Sequence, residues 1–335
     1  MTTRRTILAA TLAPAILRAA PAPPIRIAFL GGAHPHGLGK ARVLLKNASF
    51  QLAGIYEPDP AVLARFTRLG IVSRTKEAIL GDPTIQAIAV ESHVRDHQTL
   101  TIEALRAGKH THVDKPPSHD MAGIRTMVEL ARAKKLILQQ GYMWRYHPGM
   151  NAVINAVKDG VIGDVFLVRG IINTYIEAAD RQELARFAGG EMFELGAHLV
   201  DATVRLMGAP SKVDSILRKD GDFPDELKNN TLAVLHYKKA MAIIQTAALQ
   251  RGASAYRMFE VQGSKGTITL QPIEPGVLRV NLGGNVTTTK YEAYKRYIDD
   301  FINLAEVIEG RANLPVPLET ELLVEETLLR ASSMI

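Results

Sequence analysis

The chain has no cysteine among its 335 residues. This absence excludes disulfide bonds, thiolate metal sites and cysteine nucleophiles. Aromatic residues are scarce, at 6% of the sequence, and no basic run interleaved with aromatics is present. Nucleic acid is therefore not an expected partner. With 47% hydrophobic and 22% charged residues, the composition is that of a folded globular protein and not of a disordered or membrane-embedded chain.

The first 22 residues have the pattern of an export signal. A twin arginine, Arg4-Arg5, precedes an apolar run that reaches Leu17, and Ala20-Pro21-Ala22 resembles an Ala-x-Ala cleavage site. The run is too short to span a bilayer, so no stable membrane anchor is expected. An ordinary basic N-terminus with a short apolar helix is the alternative. We interpret residues 1–22 as a twin-arginine signal that directs the protein to the periplasm or outside the cell.

Short apolar strands alternate with helical patterns in the first part of the mature chain. The predicted strands are Ile25–Leu30, Gln51–Tyr56, Ile85–Val90, His110–Val113 and Leu136–Gln140. This alternation predicts a parallel, doubly wound sheet of the α/β class.

A second region follows and is richer in antiparallel strand patterns. The predicted strands here are Asn230–His236, Ala240–Ala247, Met258–Val261 and Gly266–Leu270. Two C-terminal helical patterns, Tyr291–Glu309 and Pro317–Ser332, are expected to pack back against the first region.

A glycine pair follows the first strand, where a dinucleotide-binding loop would lie. The loop reads Gly31-Gly32-Ala33-His34-Pro35-His36, so alanine and histidine replace two of the usual glycines. Glu57 ends the second strand, where an acid can accept hydrogen bonds from both ribose hydroxyls of NAD. Because no lysine or arginine adjoins Glu57, NAD is favoured over NADP. A simple turn and a solvated acid are the alternative interpretation.

Three other polar residues are not explained by packing. Lys115 follows the fourth strand and precedes Pro116, which fixes the backbone. Glu194, His198 and Asp201 have the spacing of one helical face. A lysine, an imidazole and a carboxylate suit proton transfer coupled to redox chemistry. A buried structural histidine is the second interpretation. No metal site is predicted, because one histidine with two acids lacks the paired-histidine pattern of zinc hydrolases.

These segments together resemble the glucose-fructose oxidoreductase, inositol dehydrogenase and rhizopine catabolism family (Gfo/Idh/MocA). Asp114-Lys115-Pro116 is similar to the family's Glu-Lys-Pro motif, and Glu194-x-x-x-His198 to its Asp-x-x-x-His helix. Trp144-Arg145-Tyr146-His147-Pro148 is a weaker match. The resemblance covers nearly the whole mature chain.

The resemblance implies a fold and an activity. The fold is an N-terminal Rossmann domain, residues 23–147, and a C-terminal α/β domain, residues 148–335, with a large open, mostly antiparallel sheet. That sheet commonly forms a dimer or tetramer interface, so a homo-dimer or homo-tetramer is expected. The implied activity is NAD(P)-dependent oxidation or reduction at a hydroxyl carbon of a sugar or cyclitol.

The resemblance also assigns roles to residues. Lys115 would exchange a proton with the reacting hydroxyl, His198 would assist, and Glu194 would orient the imidazole or bind a neighbouring hydroxyl. Arg145 and Asp201 are weaker candidates for substrate contact. The predicted cofactor-binding residues are Gly31, Gly32, Ala33, His34, His36, Glu57, Ser92, His97, Asp114 and Lys115. Ser92-His93 stands where relatives usually have Thr-Pro, and Glu194 replaces an aspartate.

Two alternative functions share these features. One is an NAD-dependent glycoside hydrolase or lyase, which oxidises the sugar transiently so that elimination can follow. The other is a sugar-binding relative without activity. An exported enzyme meets no pool of free NAD, which favours a cofactor that stays bound and is recycled within each turnover.

The cofactor content of the exported protein tests this interpretation. We expect residues 23–335, purified after export and denatured, to release NAD or NADH in near-stoichiometric amount. An empty protein that binds added NAD would instead indicate a conventional dehydrogenase and speak against export. An empty protein unable to bind NAD would refute the redox function.

Overall fold

The computed structural model describes residues 23–292 and 294–335. The predicted signal, residues 1–22, lies outside the described residues. The strands are β1 Ile25–Leu30, β2 Phe50–Tyr56, β3 Ala87–Val90, β4 His110–Val113, β5 Leu138–Gln140, β6 Val165–Asn173, β7 Lys212–Arg218, β8 Asn230–His236, β9 Met241–Ala247, β10 Met258–Gly263, β11 Gly266–Leu270, β12 Val277–Leu282 and β13 Asn285–Lys290. The α-helices are α1 Gly37–Leu44, α2 Pro60–Thr67, α3 Lys76–Leu80, α4 Val94–Arg106, α5 Met121–Lys134, α6 Pro148–Lys158, α7 Ala178–Leu184, α8 Gly190–Glu194, α9 Ala197–Met207, α10 Ile298–Ile308 and α11 Leu318–Ala331.

The first five strands form the parallel sheet that the alternating pattern predicts. Their order is β2-β1-β3-β4-β5, and every neighbouring pair is parallel. The central strands are apolar and buried on both faces, as expected where helices cover both sides of a sheet. The predicted α/β fold class is therefore confirmed. β3 and β5 begin two residues later than predicted.

The remaining eight strands form one large sheet with the order β13-β12-β11-β10-β6-β9-β8-β7. All neighbours are antiparallel except β6 and β9. The predicted antiparallel pairs β8–β9 and β10–β11 are confirmed, but β6 separates β9 from β10. The sequence analysis missed β7, β12 and β13. β7 and β13 are largely exposed, at the two edges of the sheet, so neither has the apolar run of a buried strand.

Helices cover one face of the large sheet. Along β8 and β9 the buried side chains alternate with partly exposed ones, which is the pattern of a sheet packed on one side only. The buried residues on β8 and β9 include Ala233, Leu235, Ala242 and Ile244. Nowhere in residues 23–292 and 294–335 is a helix long and apolar enough to cross a membrane.

The two C-terminal helices return to the first domain, as predicted. On α10, the Phe301 ring lies 5.0 Å from the His112 ring on β4 and 6.0 Å from the Phe50 ring on β2, measured between centroids. On α11, Glu319 forms an ion pair with Arg132 on α5. The C-terminal helices therefore pack against the first domain and connect it with the second.

A buried ion cluster lies at the junction of the two domains. Arg145 donates from Nε to Asp201 Oδ1 at 2.9 Å and from Nη1 to Glu321 Oε1 at 2.6 Å. All three side chains are buried. The weak prediction that Arg145 and Asp201 contact substrate is corrected here, because the guanidinium and the two carboxylates bind one another. Their contacts fasten α9 and α11 to the segment that links the domains.

Because Arg145 is the cationic side chain at the centre of this cluster, its removal should cause a large loss of stability. Arg145→Ala leaves Glu321 buried with no other ion-pair partner among the described residues. Asp201 keeps only a longer contact with Arg205, at 3.7 Å from Nη1 to Oδ2. The variant should therefore lower the free energy of unfolding by about 3–5 kcal/mol. Arg132→Ala, which breaks the exposed pair with Glu319, is the matched control and should change it little. Equal effects of the two variants in urea unfolding would contradict the assignment.

Candidate active site

Lys115 is placed at the carboxyl edge of the parallel sheet by β4, which ends two residues before it. The backbone N–H of Lys115 donates to Asp114 Oδ1 at 2.7 Å. The ammonium is buried and donates to the backbone oxygen of Glu194 at 3.0 Å and to its carboxylate. The lysine thus connects the end of β4 to α8 of the second domain.

Glu194 and His198 do not belong to one helix, which corrects the expected helical face. α8 ends at Glu194, and α9 begins at Ala197. Glycine favours such an interruption because it stabilises a helix poorly, and Gly196 lies in the break. Glu194 nevertheless binds Lys115 through its carboxylate, and the positive charge of Lys115 lowers the pKa of His198. His198 packs against the Trp144 ring, with 5.1 Å between centroids.

The electrostatics give Glu194 and His198 different protonation states. Burial opposes ionisation of Glu194, but the Lys115 ammonium and its hydrogen bond outweigh burial and lower the net pKa of the carboxyl. Burial, reinforced by the positive charge of Lys115, holds the pKa of His198 well below its usual range. His198 is therefore a neutral imidazole at neutral pH, and its buried Nδ1 has no hydrogen-bond partner among the described residues.

A cleft of about 620 Å³ opens at the ends of β1, β2 and β3. Its lining includes Gly31, Ala33, Glu57 and Ser92. Gly31 has a φ of +82°, and a Cβ at this position would lie 2.5 Å from the Cα of Ser92, so only glycine fits. The cleft therefore has the small residues that a dinucleotide pyrophosphate needs for close approach.

Glu57 is fixed beside this cleft by the loop itself. Its Oε2 accepts from the backbone N–H of Gly32 at 2.6 Å, and its Oε1 accepts from that of Asp59 at 2.8 Å. Each carboxylate oxygen retains a further acceptor site, which suits the two ribose hydroxyls. Lys76 also lines the cleft, but it forms an ion pair with Glu103 at 2.8 Å. The residues present thus fit NAD.

The two histidines of the loop point away from the cleft lining. His34 Nδ1 and His36 Nδ1 lie 3.1 and 3.0 Å from Asp114 Oδ2. Burial lowers the pKa of His34 to about 4 against the opposing effect of Asp114. These three side chains could supply metal ligands, since their donor atoms lie within 4.8 Å of one another. A cation there would share Asp114 Oδ2 with Lys40.

Lys40 is the residue beneath this site that sequence reasoning missed. Its Nζ lies 2.6 Å from Asp114 Oδ2, 2.7 Å from Glu91 Oε1 and 2.8 Å from His112 Nε2. Burial opposes ionisation of Asp114, but His34, His36 and Lys40 outweigh it and lower the pKa of the carboxyl. The sequence of α1 gave no sign that Lys40 is buried, because the residues that bind Lys40 are far away in the sequence.

His97 was predicted to bind the cofactor, but the structure places it between two loops of the protein. The ring is fully buried, with Nδ1 2.8 Å from the backbone oxygen of Pro116 and Nε2 3.1 Å from that of Ser92. Both nitrogens face protein carbonyls, so neither is left for a cofactor, and the nitrogen that carries the proton donates to one of these two carbonyls. Ser92 itself lies in the cleft wall.

Comparison with known proteins now decides the family. Residues 25–142 match the family described as "Oxidoreductase family, NAD-binding Rossmann fold", and residues 150–269 match "GFO/IDH/MocA C-terminal domain". The chain belongs to the Gfo/Idh/MocA family. It is accordingly an oxidoreductase, and its first domain is an NAD-binding Rossmann domain.

Individual relatives of this family are distant. Myo-inositol 2-dehydrogenase of Thermotoga maritima is 26% identical over 70% of this chain and 72% of the relative. Inositol 2-dehydrogenase of Rhizobium meliloti is 25% identical over 84% of this chain and 89% of the relative. Neither alternative function from the sequence, the glycoside hydrolase or the inactive sugar-binding protein, is favoured by these Gfo/Idh/MocA relatives.

A solved structure shows the same fold. An oxidoreductase from Agrobacterium radiobacter, in complex with NAD⁺, L-tartaric acid and magnesium, superposes with a TM-score of 0.79 at 16% identity. The match covers 92% of this chain and 95% of that one. The arrangement of two domains is thus preserved at low sequence identity.

Glu191 is a second residue of the site that the sequence did not reveal. Its carboxyl is fully buried, and neither oxygen has a hydrogen-bond partner among the described residues. Burial, together with the nearby negative charge of Glu194, raises its pKa to about 8. Glu191 is therefore a neutral acid at neutral pH beside the Lys115–Glu194 pair.

The raised pKa of Glu191 predicts a pH-dependent stability. In the unfolded chain the Glu191 carboxyl has its ordinary pKa, near 4.5, and in the folded protein a pKa of about 8. The folded protein therefore has its full stability below about pH 4.5 and loses stability as the pH rises towards about 8. Glu191→Gln removes this loss, so the variant should gain stability relative to the native protein between about pH 5 and pH 8, by up to a few kcal/mol. Thermal or urea unfolding across this range measures the difference. The exposed Glu129→Gln is the control, and a pH-independent difference for Glu191→Gln would contradict the assignment.

Proposed function

We propose that the protein is an NAD-dependent oxidoreductase that acts on a hydroxyl carbon of a sugar or cyclitol. The observation that carries the proposal is the group formed by Lys115, Glu194 and His198 at the end of β4. An ammonium held by a carboxylate, with a neutral imidazole close by, is a proton-transfer arrangement. It lies on the same sheet edge as the cleft that fits NAD. The inositol dehydrogenase relatives support a polyhydroxylated substrate.

Side chains of this protein exchange the proton of the substrate hydroxyl. When bound, NAD accepts or returns the hydride of the substrate carbon. In the oxidation direction, the free amine of Lys115 takes the proton of the substrate hydroxyl as the hydride leaves the carbon, and the Glu194 carboxylate holds the resulting ammonium in place. His198, neutral because it is buried, supplies a hydrogen bond that orients the hydroxyl. Lys115 thus serves as the acceptor for the proton that the alcohol releases.

Export and cofactor retention belong to this proposal. The Arg4-Arg5 pattern and the Ala20-Pro21-Ala22 site support a twin-arginine signal and a periplasmic or secreted enzyme. Because that route carries folded proteins, NAD can be loaded before export and recycled by a second substrate. Fractionation of expressing cells tests the location, and a mature protein confined to the cytoplasm would refute it.

The open face of the large sheet supports a homo-dimer or homo-tetramer. Ile216 on β7 and Met241 on β9 are large apolar side chains with 58% and 47% exposure. On the same face, Leu232 on β8 is the cross-strand partner of Ile216. Ile243 lies two residues after Met241 on β9 and is the partner of Val234 on β8. A contiguous apolar sheet face is suited to self-association. Light scattering of the mature protein checks the state, and a monomer at micromolar concentration would refute it.

Removal of the Lys115 amine should abolish most turnover. Lys115→Ala is expected to lower the rate at least about a hundredfold with an inositol or sugar substrate, the lower range for a positioned acid or base. Single-turnover absorbance of the nicotinamide measures the rate, and the NAD content of the variant shows whether the cleft is intact. The exposed Lys134→Ala is the matched control. Unchanged turnover of Lys115→Ala would remove the assigned role, and a native protein inactive on all such substrates would refute the proposed function.

A further inference from the structure

Arg257 is a charged residue near the site that the mechanism does not use. It lies immediately before β10, follows a short 3₁₀ helix at Ala253–Tyr256, and is partly buried. Its Nε donates to the backbone oxygen of Asn173 at 3.2 Å. Among the residues that the structure describes, no carboxylate oxygen lies within 4.0 Å of its guanidinium. This is unusual, because partly buried arginines ordinarily have an anionic partner.

Hydrogen bonds and one ring contact connect Arg257 with His198. The backbone oxygen of Arg257 accepts from the N–H of Ile273 at 3.1 Å. The next residue is Glu274, whose Oε1 accepts from Trp144 Nε1, and the Trp144 ring packs on His198 with 5.1 Å between centroids. These contacts place Arg257 on the Trp144 side of His198. The negative charge of Glu194, the partner of Lys115, also raises the pKa of Arg257 against the effect of burial.

The nearby acids are already engaged by other cations. Glu194 forms its ion pair with Lys115. Glu274 is bound by Arg296, with 2.6 Å from Nη2 to Oε2, and its Oε1 accepts from Trp144 Nε1 at 2.8 Å. Each of these pairs is balanced by itself. The guanidinium of Arg257 adds one positive charge that no acid of this group neutralises.

We infer that Arg257 is an oxyanion-binding group, so that the substrate is an acidic sugar or cyclitol carrying a carboxylate or a phosphate. The inference rests on the proposed function and narrows its substrate class. A guanidinium binds a carboxylate or phosphate through two parallel N–H donors, and the terminal nitrogens of Arg257 have no bonds to protein oxygens among the described residues. An anion bound there would complete the charge balance beside Lys115 and Glu194. A neutral sugar would leave the guanidinium without a counter-charge.

Binding to matched acidic and neutral sugars tests the inference. The probes are D-glucuronate, D-glucose 6-phosphate and D-glucose, titrated calorimetrically into the NAD-loaded mature protein. We expect the preferred anionic probe to bind at least about tenfold more tightly than D-glucose, a difference that corresponds to about 1.4 kcal/mol. The better of the two anionic probes identifies the carboxylate or the phosphate as the recognised group. Added salt should weaken anion binding and leave D-glucose binding unchanged.

Three variants separate recognition from folding. Arg257→Gln should lose at least about tenfold in affinity for the preferred anion while D-glucose affinity stays within about twofold. Arg257→Lys should retain part of the preference, because it keeps the charge but loses the paired donors. Arg279→Gln removes an exposed arginine that also bonds only a backbone oxygen, that of Gln271 at 3.3 Å, and should behave as the native protein.

The outcomes distinguish this inference from the proposed function. If both anionic probes bind no more tightly than D-glucose, or if Arg257→Gln keeps the anion preference, the inference is overturned. Hydride transfer to bound NAD from any sugar or inositol, read by nicotinamide absorbance, tests the proposed function separately. A protein that oxidises neutral sugars with no anion preference would retain its proposed function and lose only the assignment of Arg257.

Discussion

The buried ion pair between Lys40 and Asp114 is the contact on which the active site depends. Both side chains are fully buried, and Lys40 Nζ lies 2.6 Å from Asp114 Oδ2. The other oxygen of the same carboxylate accepts from the backbone N–H of Lys115. Removal of either partner would leave an uncompensated charge in the interior. One carboxylate thus fixes α1, which follows the glycine loop, to the strand end that carries Lys115.

Ion pairs also set the geometry between the two domains. Lys115 of the first domain is held by Glu194 of the second, and Arg145 in the link is held by Asp201 and Glu321. These ion pairs are buried. Separation of the two partners would therefore leave uncompensated charges in the interior, which is unfavourable. Movement of one domain against the other would break several of them together.

Much of the fold and part of the site followed from local sequence patterns. The parallel sheet, both C-terminal helices, the glycine loop and the lysine after β4 were predicted because each depends on short-range periodicity or on a residue next to a strand end. β7 and β13 were missed because strands at a sheet edge need no apolar run. The single helix expected for Glu194, His198 and Asp201 was wrong, since residue spacing alone does not reveal an interruption at Gly196 or the salt bridge that claims Asp201.

The sequence by itself determined the α/β class and the NAD-type cofactor, because these reside in contiguous motifs whose chemistry is local. It also supplied the candidate proton-transfer groups, Lys115, Glu194 and His198, which stay a prediction. The tertiary structure decided which charged groups are partners. Lys40 meets Asp114 across 74 residues of sequence, and Arg145 meets Glu321 across 176. It also showed that, among the described residues, the buried Glu191 carboxyl has no hydrogen-bond partner and Arg257 has no acidic partner. Burial and pairing depend on residues distant in sequence, and these two properties set the direction of the pKa shifts of Glu191, Glu194 and His198.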